Sequence, residues 1–173
     1  MNILAATLFT GAALTQSPPT PLAEDLAAIE TRIEAVAVLV DLNANDRLEM
    51  LFAEEVRLDY TSLFGGAPET ITGSELMDRW SSLVPGFDLT RHAISDIEVE
   101  LHGHTANASA SVTGTHWLEG DIWAVSGRYD YELIRLEGEW KVTALTLTAT
   151  SERGDRSLIG RALARIADEV SAE

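Results

Sequence analysis

The sequence predicts one α+β domain, with helices first and a curved antiparallel sheet after them. Before residue 89 the apolar residues recur mainly at helical spacing, whereas from Leu89 onward they alternate with a period of two over four long segments. Helices followed by a run of strands indicate α+β architecture rather than a doubly wound parallel sheet. We expect the sheet to form a cone wrapped by the N-terminal helices, with a C-terminal helix added.

Composition narrows the classes of function. The 173 residues carry a formal net charge of −16, with 12 Lys and Arg against 28 Asp and Glu. Such an acidic surface repels phosphate backbones, so we expect no nucleic-acid partner. Lys141 is the only lysine, which leaves no polybasic patch for stable membrane association. The absence of cysteine excludes disulfides, thiolate catalysis and cysteine metal sites.

The N-terminal region is expected to be a leader. The run "ILAATLFTGAAL" has the length of a signal h-region and is too short to span a bilayer, but no Lys or Arg precedes it. We expect the protein either to be exported to a periplasm or to stay in the cytoplasm. We divide the chain into a leader with linker (1–19), the cone domain (20–151) and a C-terminal amphipathic helix (152–173).

The first half of the domain is expected to hold three helices and one strand. Thr20-Pro21 opens a long amphipathic helix that stops near "DLNAND", and Asp46 is placed to cap a short helix "RLEMLFA". A strand "EVRLDYTSLF" and a loop "GGAPE" follow. Thr72 and Glu75 have capping-box spacing and predict a third helix through Leu83.

Four long strands and a final helix complete the prediction. The strands are "LTRHAISDIEVEL", "TANASASVTGTHWL", "DIWAVSGRYDYELIRL" and "EWKVTALTLTATS", and the turns between them are "HGH", "EG" and "EGE". The segment "RSLIGRALARIADEV" predicts the C-terminal helix.

Two histidines are expected on the inner face of this sheet. In "ASASVTGTHWLEG" one face holds small apolar residues and then His116. His92 shares a face with Ile94, and a β-bulge at Ser95-Asp96 would return the following apolar residues to that face. A buried polar group left unpaired costs about 1–3 kcal/mol, so each imidazole needs a partner or a ligand.

The other polar candidates leave alternatives open. Asp41 ends the apolar stripe of the first helix, where it either caps the helix or pairs with a buried cation. Tyr60 ends "RLDY" and can direct its hydroxyl into the same space. His102 and His104 flank a glycine in a turn, without a third metal ligand, so we expect no metal site there. The two inner histidines would, in the simplest alternative, bond backbone carbonyls.

A resemblance sharpens these candidates. The segment "VDLNANDRLEMLFAEEVRLDYTS", then "TRHAIS" and "GTHWL", resembles the SnoaL-like branch of the nuclear transport factor 2-like superfamily, and within it the scytalone dehydratases. The resemblance implies the same cone and a catalytic set of Asp41 paired with His92, together with His116 and Tyr60. Val40 stands where those dehydratases have a second tyrosine, which leaves the substrate open.

We therefore expect a lyase or isomerase that needs no metal or organic cofactor and acts on a small apolar molecule bearing a carbonyl group. His92 would remove a carbon-bound proton, Asp41 would orient it, Tyr60 would stabilise the enolate oxygen and His116 would protonate the leaving hydroxyl. The alternatives are a non-catalytic module that binds a small molecule, and a structural domain. Homodimerisation through the sheet is compatible with all three.

Overall fold

A computed structural model describes residues 21–171, so the expected leader lies outside the described residues. The helices are α1 (Pro21–Asp41), α2 (Asn45–Glu49), α3 (Thr61–Phe64), α4 (Gly73–Ser81) and α5 (Leu158–Ser171), with a 3-10 turn at Val84–Gly86. Within the described part of the chain, no helix combines the length and apolar character needed to cross a membrane.

Six strands form one curved, unclosed sheet. They are β1 (Phe52–Asp59), β2 (Glu69–Thr72), β3 (Leu89–His102), β4 (Thr105–Leu118), β5 (Asp121–Leu136) and β6 (Glu139–Gly154). Their order is β2-β1-β6-β5-β4-β3, and every neighbouring pair is antiparallel apart from β1 and β6, which run parallel. The α+β cone with N-terminal helices and a C-terminal helix is confirmed.

The four long strands and their turns follow the sequence pattern closely. Two turns have an acidic residue and a glycine that both take positive φ: Glu119 and Gly120 at 53° and 89°, Glu137 and Gly138 at 51° and 89°. This conformation suits the tight type I′ hairpin, whose twist matches that of the flanking strands. The β6 strand continues through Gly154, and the divisions of the chain at 19/20 and 151/152 stay predictions.

The predicted bulge in β3 is present. The register with β4 shifts between Ser95 and Glu98, and Asp96 has a φ of 51°. The extra residue restores the alternation beyond it, so that apolar side chains on both sides of the bulge pack against the main core: Ile94, Ile97, Val99 and Leu101. The bulge thus lets one strand carry His92 and a long apolar row on the same face.

Between residues 47 and 72 the local predictions need correction. The helix "RLEMLFA" was predicted too long: α2 ends at Glu49, and its N-cap is Ala44 rather than Asp46, because Phe52 is drawn into the pairing of β1 with β6. The strand ends at Asp59, whose carboxylate accepts hydrogen bonds from the Thr61 backbone N–H at 3.0 Å and hydroxyl at 2.7 Å and so starts α3. The capping box of Thr72 and Glu75 is confirmed.

The interior has two apolar clusters. The larger one lies between α1, α4 and the sheet and includes Ile29, Ile33, Leu76 and Leu145. The smaller one lies under α5 and contains Phe87, Leu118, Trp123, Val125, Leu158 and Ala162. Close approach is needed there, because a Cβ on Gly86 would lie 2.2 Å from the Ala162 carbonyl oxygen.

Candidate active site

A cavity of about 150 Å³ lies between the inner face of the sheet and the helices. Cavities of roughly this volume can hold a single aromatic ring. Most of the lining is apolar, and the polar side chains on it are two imidazoles and three phenols: Tyr60, His92, His116, Tyr129 and Tyr131. A small, mostly apolar molecule with a few polar atoms therefore matches the lining.

Asp41 is the last residue of α1 and fastens that helix to β3. Its Oδ1 atom lies 2.7 Å from His92 Nδ1 and accepts from the Thr90 hydroxyl at 2.9 Å, while Oδ2 accepts from the His92 backbone N–H at 2.7 Å. Burial raises the pKa of Asp41, but the hydrogen bonds and charge of His92, with the bond from Thr90, outweigh it and leave the pKa lowered. The carboxylate is therefore ionised at neutral pH.

The hydrogen bond with Asp41 fixes the tautomer of His92. Because a carboxylate only accepts, Nδ1 carries a proton, and in the neutral ring Nε2 is then left with a free lone pair. No described residue bonds to Nε2, which lies over Gly114 on β4: a Cβ there would be 3.1 Å from the ring. The His92 and Asp41 side chains keep 14% and 18% of their surface exposed, so water or a ligand can reach the pair.

His116 lies beside His92 in a different environment. The two rings meet edge-on with centroids 5.6 Å apart, and His116 is enclosed by Phe87 and Trp123 at 4.8 and 4.7 Å. Its Nδ1 is 3.4 Å from the Trp123 carbonyl oxygen, a long contact. Burial, together with the neighbouring His92, lowers the pKa of His116 to about 4. At pH 7 it is a neutral imidazole.

The three phenols form a row that runs from Tyr60, just after β1, to Tyr129 and Tyr131 on β5. Tyr60 donates to the Tyr129 hydroxyl over 3.4 Å, and the rings of Tyr129 and Tyr131 are 5.8 Å apart. Burial raises the pKa of all three hydroxyls, with additional contributions from their neighbours. All three therefore remain protonated at neutral pH and can act as hydrogen-bond donors.

The structure brings Asp41 and His92 together and places His116 and Tyr60 on the same cavity. Asp41 does not cap its helix, so the helix-cap alternative is wrong. His92 does not bond a backbone carbonyl, so the simplest alternative for the histidines is wrong for His92. It holds for His116, whose only polar contact among described residues is the Trp123 carbonyl. His102 and His104 are exposed, and within residues 21–171 no three His, Asp or Glu side chains converge on a metal-binding geometry.

Four contributors to the site were not singled out from the sequence. Tyr129 and Tyr131 are two apart in "YDY" on β5, a period-two signal that places both on one face. Gly114 lies in the interior of a strand, where a glycine often marks a close approach. Thr90 carries no signal of its own, because its bond to Asp41 joins residues 49 apart in the chain.

Comparison with known proteins identifies the family. The SnoaL-like domain matches residues 21–146, most of the chain. The protein belongs to the SnoaL-like domain family. The predicted resemblance to this branch of the nuclear transport factor 2-like superfamily is thereby confirmed. No curated protein sequence matches the chain significantly.

Solved structures of other proteins share this fold. The Kfla4162 protein of Kribbella flavida is 28% identical, with a TM-score of 0.71 over 75% of this chain and 93% of its own. A Novosphingobium aromaticivorans protein provisionally named an aromatic ring hydroxylase is 25% identical, with a TM-score of 0.71 over 82% and 99%. A provisionally named scytalone dehydratase from the same organism is 20% identical, with a TM-score of 0.66 over 77% and 89%.

Proposed function

We propose that this SnoaL-like protein is a lyase or isomerase, dehydratase-like in chemistry, that acts on a small apolar molecule bearing a carbonyl group. The observation that carries the proposal is the Asp41–His92 pair, in which a protonated Nδ1 bonded to the carboxylate leaves Nε2 unpaired beside an apolar cavity. The dehydratase name of one structural neighbour supports the same class of reaction.

In the proposed reaction, His92 Nε2 takes the proton from the carbon next to the carbonyl group. The electron pair of the broken C–H bond moves to the carbonyl oxygen and gives an enolate. The Asp41 carboxylate stabilises the imidazolium that forms. The carboxyl end of α1 adds to this stabilisation, since a helix C-terminus favours a positive charge.

Phenol hydroxyls would stabilise the enolate oxygen. The Tyr60–Tyr129 hydrogen bond is long, so either hydroxyl can turn to a substrate oxygen without losing a strong bond. In an elimination, the enolate then re-forms the carbonyl group, the bond to the leaving hydroxyl breaks, and that hydroxyl leaves as water with the proton that His92 returns.

The role expected for His116 changes in this proposal. A neutral imidazole is a poor acid, so a pKa of about 4 argues against protonation of the leaving group by His116. We assign the return of the proton to His92 and give His116 the part of a dry wall beside it. The residue set Asp41, His92, His116 and Tyr60 is kept, and the proposal involves no metal or organic cofactor.

A screen of cyclic β-hydroxyketones tests this function, with loss of water followed by ultraviolet absorbance of the conjugated enone. For a ketone that turns over, His92→Gln should reduce kcat/KM by about 10²–10⁴-fold. The matched control is His102→Gln in the exposed β3–β4 turn, which should leave the rate unchanged. Full activity in folded His92→Gln would contradict the proposal.

A non-catalytic binding module is the second candidate, favoured by the apolar cavity and its unpaired phenol. It predicts that ketones bind without turnover and that His92→Gln leaves their affinity unchanged.

A homodimer formed through the outer face of the sheet is a further proposal, tested by light scattering of the purified chain. Export stays a prediction, tested by the N-terminal sequence of the mature protein.

A further inference from the structure

The hydroxyl of Tyr131 is buried without a partner. Tyr131 lies on β5 opposite Ala108, is only 2% exposed and lines the cavity. Its oxygen forms no hydrogen bond with any residue in the described part of the chain, and it is the only buried side-chain polar atom there of which this is true. Phenylalanine would fill the same space without leaving a polar atom unpaired, so the hydroxyl needs an explanation.

Hydroxyl protons without a fixed acceptor lie on this wall. The three phenols offer three O–H groups, and their one mutual bond uses the hydroxyl proton of Tyr60 only. The cavity lining includes no carboxylate or amide side chain. The hydroxyl protons of Tyr129 and Tyr131 are therefore available to a ligand that brings its own acceptor.

The lining also limits the charge of the ligand. No Lys or Arg side chain lines the cavity, and the Asp41 carboxylate is close enough to raise the pKa of Tyr129. An anionic ligand would be desolvated next to a negative charge without a cation to pair with. A neutral molecule whose oxygen atoms can accept hydrogen bonds meets both conditions.

We propose that the Tyr131 hydroxyl is a specificity-determining group that donates a hydrogen bond to a second oxygen of the ligand, a carbonyl or an ether. This inference rests on the proposed function, in which the first carbonyl oxygen is held near Tyr60. The two positions are separate, because the Tyr60 hydroxyl bonds to that of Tyr129, which lies two residues before Tyr131 on the same face of β5, about 7 Å along the strand. The ligand is thus a neutral ring compound with oxygen at two separate positions.

Binding of a matched single-ring series tests the proposal: ethylbenzene, acetophenone, and the 3′- and 4′-methoxyacetophenones, titrated by NMR. At least one methoxy isomer should bind the wild-type protein about tenfold more tightly than acetophenone. Tyr131→Phe should remove this gain and keep the gain of acetophenone over ethylbenzene. The control that combines Tyr60→Phe with Tyr129→Phe removes both phenols that can hold the first oxygen, and it should do the reverse.

Two results would overturn the inference and leave the proposed function standing: no methoxy isomer gains affinity, or the gain persists in Tyr131→Phe.

Thermal unfolding without ligand gives a further check. Tyr131→Phe should be at least as stable as the wild type, because it removes an unpaired buried hydroxyl, and a marked fall in Tm would mean that the hydroxyl has a structural partner. Absence of binding by every ketone would contradict the proposed function as well as this inference.

Discussion

His92 and His116 sit side by side on the same wall of the cone, yet their surroundings differ completely. His92 faces a carboxylate, two further hydrogen bonds hold that carboxylate in place, and the ring keeps some contact with solvent. His116 faces Phe87 and Trp123 and has one long contact with a carbonyl oxygen. The two imidazole rings are the same group and lie on adjacent strands. The difference between them therefore comes from the side chains that surround each ring.

Two adjacent imidazoles can thus differ in chemical behaviour because of the residues around each one. A carboxylate partner fixes which nitrogen of the neutral ring carries the proton, whereas an apolar cage favours a neutral ring. In the proposed function, proton transfer belongs to His92, and His116 keeps water out.

The largest effect is expected from pH. His116 has a pKa of about 4 in the folded chain against 6.5 for an ordinary histidine, so the unfolded chain binds more protons between these values. The contribution of His116 is complete above pH 6.5 and is lost as the pH falls towards 4, by about 3 kcal/mol in the free energy of unfolding.

Urea unfolding from pH 7 to pH 4 measures this loss, with His116→Phe as the variant. The variant should lose less stability than the wild type over that range, and His102→Gln should follow the wild type. Parallel curves for the wild type and His116→Phe would show that the cage does not hold His116 neutral.

The next largest effect is expected from Asp41→Asn. The amide keeps the shape of the side chain but places N–H donors among three existing donors, which should cost about 2 kcal/mol in the free energy of unfolding. Urea unfolding at pH 7 measures it, with Asp168→Asn on the exposed side of α5 as the control. An equal midpoint for Asp41→Asn and the wild type would contradict the anchoring role of Asp41.

A smaller effect is expected from Thr90→Val. The substitution keeps the β-branched shape and removes one hydrogen bond to Asp41, so about 1 kcal/mol of stability should be lost. Thr115→Val on the neighbouring strand β4 serves as the control, because the Thr115 side chain has no hydrogen bond within residues 21–171. Equal losses in the two variants would show that the Thr90 bond adds nothing.

The smallest effect is expected from Gly114→Ala. The added methyl group would lie 3.1 Å from the His92 ring, which must shift by a few tenths of an ångström. We expect a loss of about 1 kcal/mol or less, and a clear change in the His92 ring resonances. Gly160→Ala in α5 meets no atom within 4 Å and should leave those resonances in place. Unchanged His92 resonances in Gly114→Ala would contradict the close approach.

Much of the fold could be predicted from local patterns, and much of the site could not. The long strands, the bulge after Ser95 and the α4 capping box depend on neighbouring residues. The α3 turn and the β2 strand were missed, because β2 forms by pairing with β1 and α3 depends on the Asp59 side chain.

The inner faces of β3 and β4 followed from their period of two, which put His92 and His116 in one space. The partnership of Asp41 with His92 came from the family resemblance, since the two residues are 51 apart and their spacing carries no signal. The cage around His116 and the unpaired hydroxyl of Tyr131 depend on contacts between distant segments. Sequence patterns indicate which face a side chain occupies, but not which partner it finds there.

The central claim is that Asp41 holds the proton on His92 Nδ1 and leaves Nε2 free. Long-range ¹H–¹⁵N correlation NMR of the imidazoles measures this directly, at a pH high enough that the ring spectra no longer change. We expect His92 to carry its proton on Nδ1 in the wild-type protein and to become a mixture of tautomers in Asp41→Asn. The pattern of His116 correlations should stay the same. A wild-type His92 protonated on Nε2 would contradict the account.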